Sequence, residues 1–385
     1  MSRTPALLVV IIMAALAGTA AAQTTPIIDV SGLDQFWRIE SVLAQGGEPA
    51  DSVWDAMWAT PGYAMLESRE GRRRLLTTAM RLALNPARAR AADSAIARNG
   101  WLAMVIPHLR LVASRRDTLR LIERSLGSPE IFATGIRRAQ EFLPSGTTSR
   151  LRVPDVSLIY FLDARGYQRI LFDPSHLMDL YDPTLVLGHE MHHYYGNQLA
   201  PDSRPFGEDM IAWRVATTET EGVAGLVDKR EVPRLTKAQL AVRYRDSRAR
   251  QYFDDYQEDY KRSNQWLAWF DDILRRKAAH PDSAMILGKT LDATLPDNGR
   301  IMGAFMAEVI EEHLGHAMLV DHIADPWAFW RNYNEAARRS AGKAFVLSDS
   351  AMGAIADIER EYRKPEKRHS SGATSGPRGP GSPVQ

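Results

Sequence analysis

The stretch "TLVLGHEMHHYYGNQL", Thr184–Leu199, decides how this chain is read. Ahead of it, Asp182-Pro183 predicts a helix start, with the aspartate as N-cap and the proline at the first helical position. Gly196-Asn197 predicts the stop, which leaves a helix of about three turns. His189 and His193 are four positions apart on that helix, so their imidazoles lie on one face about one turn apart. At that spacing two nitrogens can bind one tetrahedral metal ion. Glu190, beside the first histidine, is placed to reach a water on the metal and not the metal itself; residues 189–193 spell H-E-x-x-H. His192 points elsewhere and reads as packing or as support for the ligands. Leu185, Val186 and Leu187 before the motif, and Tyr194 and Tyr195 after it, make much of the helix apolar. A buried helix does not carry two histidines and a glutamate without partners, because unpaired buried polar groups are costly.

A catalytic metal site needs a third protein ligand and an open position. The downstream candidates are Glu208, Glu219 and Glu221. On a helix, Glu219 and Glu221 are two positions apart and point to different faces. Glu221 has Gly222, Ala224 and Gly225 as neighbours, small residues that would let its helix pack close to the first. Glu219 sits among Thr217, Thr218 and Thr220. Glu221 is therefore the favoured ligand, and Glu219 a supporting or exposed residue. Asp228, on the same face as Glu221, is placed either to support a histidine ligand or to lie on the surface. His313 and His316 are also at ligand-capable spacing, although beside helix-surface glutamates they read as solvated. Met302, Met306 and Met318 read as core. A group that stabilises an oxyanion is expected too, with His316, His322, Tyr256, Tyr260 and Tyr333 as candidates.

The whole chain sets bounds on these readings. It has 385 residues, a net charge of +1 and no cysteine. The charge gives no reason to expect nucleic acid as a partner. Without thiolates, a transition-metal site must use His, Asp and Glu, which suits catalytic zinc better than structural zinc. Arg3, the apolar run Ala6–Gly18 and the Ala20–Ala22 cleavage pattern predict a signal peptide over residues 1–22. That run is too short for a comfortable span, so we expect an exported protein, periplasmic or secreted, with no stable membrane span after cleavage. No cysteine stands at the cleavage point to carry a lipid anchor.

Residues 23–148 read as a helical region. One helix ends at Gly46-Gly47, Asp51 caps the next, Pro61-Gly62 breaks it, and a later helix is interrupted at Pro107. Val156–Phe161 and Ile170–Phe172 read as a β-hairpin or two neighbouring strands, separated by the turn signal "DARGYQ". With the motif helix and the helices that follow, residues 149–362 form the expected catalytic region. Residues 363–385 are rich in Pro, Gly and Ser and are expected to be disordered. The fold class is mainly α (α+β), with a small sheet packed beside the H-E-x-x-H helix.

The H-E-M-H-H run, followed by "EGVA" at Glu221–Ala224, resembles the gluzincin metallopeptidases. In their aminopeptidase-N branch an H-E-x-x-H helix precedes an N-E-G-F-A helix whose glutamate completes the zinc site, and "HHYYGNQL" is similar to the end of that first helix. The likeness is closer to uncharacterised bacterial zinc-dependent peptidase families, which share a later E-G-x-A and an N-terminal "W…TPGY", here Trp58–Tyr63. It is firm over about residues 155–230. It implies one Zn2+ per chain held by His189, His193 and Glu221, with Glu190 as general base, in hydrolysis of a peptide or protein substrate.

There are departures. The His193 to Glu221 spacing is longer than in the aminopeptidase-N branch, and that branch's G-x-M-E-N type strand is absent, so aminopeptidase specificity does not carry over. Gly225 stands where the thermolysin type has an aspartate. By analogy, a strand near Ile159–Leu162 or Ile170–Phe172 would pair with the substrate backbone as an edge strand. Two other classes stay open. One is a non-catalytic zinc-stabilised binding protein of the envelope, against which the intact Glu190 argues. The other is a zinc hydrolase acting on a non-peptide amide or ester.

Overall fold

The computed structural model describes residues 25–98, 100–126, 130–179, 182–200, 209–244 and 247–363. The expected signal peptide, the tail from residue 364 and the candidate Glu208 lie outside the described residues.

Helices dominate, with one small sheet among them. Its strands are β1 (Ile28–Asp29), β2 (Val156–Leu158), β3 (Ala164–Gly166) and β4 (Ile170–Phe172). They run in the order β1-β2-β4-β3; β1 and β4 are parallel to β2, and β3 is antiparallel to β4. The two apolar runs are indeed neighbours, but parallel ones. The hairpin is made by β3 and β4, and part of the "DARGYQ" turn signal is itself strand. The chain reverses at Leu162, whose φ is +85°, and the amides of Phe161 and Leu162 both donate to Asp173 Oδ2 at 2.9 Å. That reversal returns the chain as β3 on the far side of β4. Because β4 is then interior and Ile159–Leu162 is not strand, β3 is the sheet edge at this side.

β2 and β4 are wholly buried, which is why both read as continuous apolar runs. The N-terminal helices cover them closely. A Cβ added at Gly32 or Gly62 would lie 2.5 Å or 2.7 Å from Ile159 Cγ2. Tyr63, from the "TPGY" segment, donates its hydroxyl to Tyr160 O at 3.2 Å. Buried Glu123 accepts from Trp37 Nε1 and from the Tyr160 hydroxyl, each at 2.7 Å. One continuous set of buried side chains extends from Leu33 to Ile358. A second, smaller core joins Val232, Leu240, Tyr244, Phe253, Tyr256 and Ile301.

Local readings are adjusted in three places. Gly46 ends its helix at φ +79°, but Pro61 begins a helix (Pro61–Glu70) as well as breaking one. The helix Trp101–Ser114 runs straight through Pro107 and breaks at Arg115 instead. Its buried Val105, Ile106, His108 and Leu109 pin both sides of the proline, which outweighs a cost of about 3 kcal/mol. The motif helix itself spans Thr184–Leu199, a turn beyond the expected stop. Gly196 is not in the left-handed conformation that ends helices. Asn197 Nδ2 donates to Gly166 O at 3.1 Å, tying that last turn to β3. At the other end Asp182 Oδ1 accepts from Thr184 N at 3.0 Å, one residue earlier than a standard N-cap.

Candidate metal centre

Three close backbone contacts position the site. Gly188, in the motif helix, abuts Val227 and the helix Glu130–Gln140, where an added Cβ would lie 2.8 Å from Val227 Cγ1 and 3.1 Å from Arg138 Cβ. Gly166 of β3 lies against the same helix; a Cβ there would fall 2.2 Å from Glu190 O and 2.8 Å from His193 Cβ. The third contact joins the helix Met210–Lys229 to the helix Arg300–Leu314. A Cβ on Gly222 would lie 2.4 Å from Gly303 C, and one on Gly303 2.3 Å from Thr218 O. Of the small residues beside Glu221, Gly222 and Gly225 therefore serve a crossing with this later helix, while Ala224 meets the motif helix, as the sequence predicted, through its carbonyl.

His189, His193 and Glu221 each offer a ligand atom, all within 4.8 Å of one another. His189 Nε2 is 3.1 Å from His193 Nε2 and 3.7 Å from Glu221 Oε2, and His193 Nε2 is 3.6 Å from Oε2. A point equidistant from the three atoms lies about 2.0 Å from each, the length of zinc–imidazole and zinc–carboxylate bonds. Two imidazole nitrogens face each other there beside a buried carboxylate oxygen that has no hydrogen-bond partner. The donor set thus fits a tetrahedral zinc ion with one position left over.

The surroundings prepare these donors. His189 Nδ1 is 3.1 Å from both Asp228 Oδ1 and Ala224 O. Both oxygens only accept, so Nδ1 carries the proton and Nε2 presents its lone pair to the other ligands. Asp228 is thus a buried partner of His189 and not a surface carboxylate. Burial alone would lower the basicity of His189, but the charge of Asp228 outweighs it and pushes the imidazole up to about 10. Burial would likewise raise Glu221, yet Arg300 and then His193 hold it well below the usual carboxylate range. Arg300 Nε lies 3.1 Å from Oε2 without the alignment of a hydrogen bond, and Nη2 is 3.4 Å from Oε1. Glu190 is half-buried, and its charge helps to hold the guanidinium of Arg165 on β3 protonated, after Asp163 and Glu70 and against burial.

The remaining candidates are placed elsewhere. His192 is buried, with Nε2–H donating to Phe142 O at 3.2 Å, so it packs and does not face the ligands. Glu219 is 3% exposed and accepts from Ala324 N at 3.2 Å and from Thr220 Oγ1 at 3.0 Å. It is neither exposed nor among the metal donors, because those two groups take both its oxygens, while Thr218 Oγ1 donates to Arg214 O at 2.7 Å. His316 is held between Glu311 Oε1 and Glu141 O, at 2.8 and 2.9 Å, and forms no metal cluster with His313 among the described residues. Tyr333 donates to Phe345 O and Tyr260 to Glu308, Tyr256 is packed in the second core, and His322 lies in the turn before Pro326. None of the five oxyanion candidates stands out at the site. Arg300, which does, was not singled out in the sequence. The only local signal was "PDNG" at Pro296–Gly299, a turn that opens its helix.

Residues 54–342, about three quarters of the chain, match the family described as "Putative zinc dependent peptidase (DUF5700)". No curated protein and no solved structure matches the chain.

Proposed function

The chain belongs to this family of zinc dependent peptidases, and from that premise we propose an exported, monozinc enzyme. In it His189, His193 and Glu221 hold the ion and Glu190 is the general base. The observation that carries the reading is the convergence of two imidazole nitrogens and a carboxylate oxygen that accepts no hydrogen bond on one point at zinc bond length. Zinc at that point supplies a Lewis acid for the scissile carbonyl and brings the pKa of a water towards about 7.

The chain's own groups do the rest. Asp228 and Ala224 O fix the ring of His189, so no reorganisation is needed when the ion is held. Glu190 takes the proton given up by the attacking water and returns it to the leaving nitrogen. β3, the sheet edge that abuts Glu190 and His193 through Gly166, is the strand placed to pair with an extended peptide. The N-terminal Arg3, Ala6–Gly18 and Ala20–Ala22 support export.

The test is a digest of a proteome-derived peptide library by zinc-loaded, apo and Glu190→Gln protein, read by mass spectrometry beside metal content. Glu190→Gln is expected to keep its zinc and to lose hydrolysis by at least about 100-fold. Full activity in that variant would sink the mechanism. A zinc-replete parent that cleaves nothing in the library would remove the peptidase reading itself.

A further inference from the structure

We propose that Arg300 is the anion-binding group of this centre and takes a negatively charged oxygen of the substrate beside the metal. The inference rests on the zinc reading above and adds a residue to it. Three observations carry it.

The first is place. Arg300 Nε is 3.1 Å from the Glu221 oxygen that faces the two histidines. Any ion held by that oxygen therefore has the guanidinium within about 5 Å, given a bond of about 2 Å. Yet the side chain is 47% exposed, so the guanidinium meets solvent as well as the ligand set. An arginine presents five N–H groups in a fixed fork. Nε and Nη2 turn to Glu221, while among the described residues Nη1 has only Asp297 Oδ1, 4.0 Å away. The fork thus keeps donors for an oxygen arriving from the open side.

The second is construction. Arg300 follows a turn in which Asp297, Asn298 and Gly299 have φ of +43°, +55° and +85°. Two consecutive non-glycine residues in the left-handed region each cost of order 1 kcal/mol and persist only where the surroundings over-determine them. Here they do. Arg214, 1% exposed, donates to Asn298 O and Asp292 Oδ1 and, at 3.2 Å, to Asn298 Oδ1. Tyr252 donates its hydroxyl to Asp297 Oδ2 at 2.8 Å. Behind the turn, the Gly222–Gly303 contact fixes the helix three residues on. A buried arginine, a strained turn and a backbone-to-backbone crossing all serve to set the first residue of this helix beside Glu221.

The third is what Arg300 faces. Asp163, at the foot of β3, adds to Glu221 and Asp297 in holding its charge. The guanidinium is therefore within electrostatic reach of the start of β3, the strand proposed to take the peptide. A cation between the ligand set and that edge meets either the oxyanion that develops on the scissile carbonyl or a free carboxylate at the substrate's end. Both are one chemistry, an anionic oxygen.

The experiment uses full-length protein loaded with Co2+, whose visible absorption reports anions arriving at the metal. Parent, Arg300→Lys and Arg300→Met are titrated with inorganic phosphate, a tetrahedral oxyanion, and with acetate, a carboxylate. Metal content and melting are measured for each. The parent is expected to bind at least one anion. Arg300→Met should weaken it by about 10-fold or more, and Arg300→Lys by less, with metal content retained. A loss confined to phosphate assigns the oxyanion, and one confined to acetate assigns the carboxylate. The proposal falls if the parent binds neither probe, or if Arg300→Met binds both within about twofold of the parent. It falls as well if Arg300→Met cannot hold the metal, because its part is then to secure Glu221. Failure of the zinc reading is told apart by the parent itself, which would then take up no metal at all.

Discussion

Asp228→Asn separates two things that one carboxylate does. Its oxygen fixes the tautomer of His189 at 3.1 Å, and its charge pushes that imidazole up to about 10, against burial. Proton and metal compete for the same Nε2, so below about pH 10 the parent's apparent zinc constant carries a penalty that eases about tenfold per pH unit. Asparagine keeps the shape, and Ala224 O, also 3.1 Å away, keeps the tautomer. The charge is gone, however, and burial is then opposed by Glu221 without Asp228, so the imidazole falls back towards its ordinary value of 6.5. The variant carries much less of that penalty above neutrality.

Losing the support weakens intrinsic zinc binding by roughly 10- to 100-fold, but this offset does not depend on pH. The parent-to-variant ratio of apparent constants should therefore rise by about 100-fold between about pH 7.5 and about pH 9.5. Competition against a zinc-chelating dye at several pH values measures it. A ratio that stays flat across that window would refute the argument, since it would mean that the Asp228 charge is not felt at Nε2.

Glu219 is held up to about 7 by burial, so the folded state binds a proton that the unfolded state releases at about 4.5. Its stabilisation is complete below that lower value and is lost as pH rises through 7. Glu219→Gln should thus gain about 1–3 kcal/mol on the parent between about pH 5 and about pH 8, with zinc affinity unchanged; loss of zinc would show that it, and not Glu221, is the ligand. His192 is held down to about 3, burial being the main cause. The unfolded chain therefore takes its proton first, and stability falls by about 1.4 kcal/mol per unit as pH drops below about 6.5. Urea midpoints of His192→Gln should lack that slope, and equal slopes would contradict it. Gly222→Ala puts a Cβ 2.4 Å from backbone that cannot yield, whereas Gly225→Ala meets only Ala304 Cβ at 3.2 Å. The first should cost about 2 kcal/mol or more and weaken zinc binding, the second less than about 1 kcal/mol. Equal urea midpoints would show that the crossing is slack.

What could be read in the sequence was what one helix contains. The spacing of His189 and His193 fixes their shared face whatever surrounds them, and the structure brings them together with Glu221. The parallel pairing of β2 and β4 was not legible, because it depends on a reversal at Leu162 that needs the buried Asp173, eleven residues on. Pro107 misled because its penalty is local and the packing that overrides it is not. The polarity of "TTET" misled in the same way. Thr218 turns its hydroxyl back on its own helix and Thr220 gives its own to Glu219, so the middle of a polar stretch is buried. Arg300 was invisible because its partner is 79 residues away and nothing near either residue announces the other.

Glu219 and Glu221 show most sharply where the chemistry is decided. They are the same side chain two positions apart on one helix, Glu219 buried and Glu221 partly so. Glu219 meets an amide and a hydroxyl, neutral donors that do not offset its desolvation, and it rises to about 7. Glu221 meets a guanidinium and two imidazoles and falls well below its ordinary value. An ionised carboxylate that keeps a bare oxygen is what a divalent cation needs, and a half-protonated one with both oxygens occupied is not. Arg300 adds to what His193 and His189 already do for that carboxylate, and Arg300 stands there because Gly222 and Gly303 let two backbones touch. Two residues with no side chain, far apart in the sequence, thus help decide which glutamate can serve as a ligand.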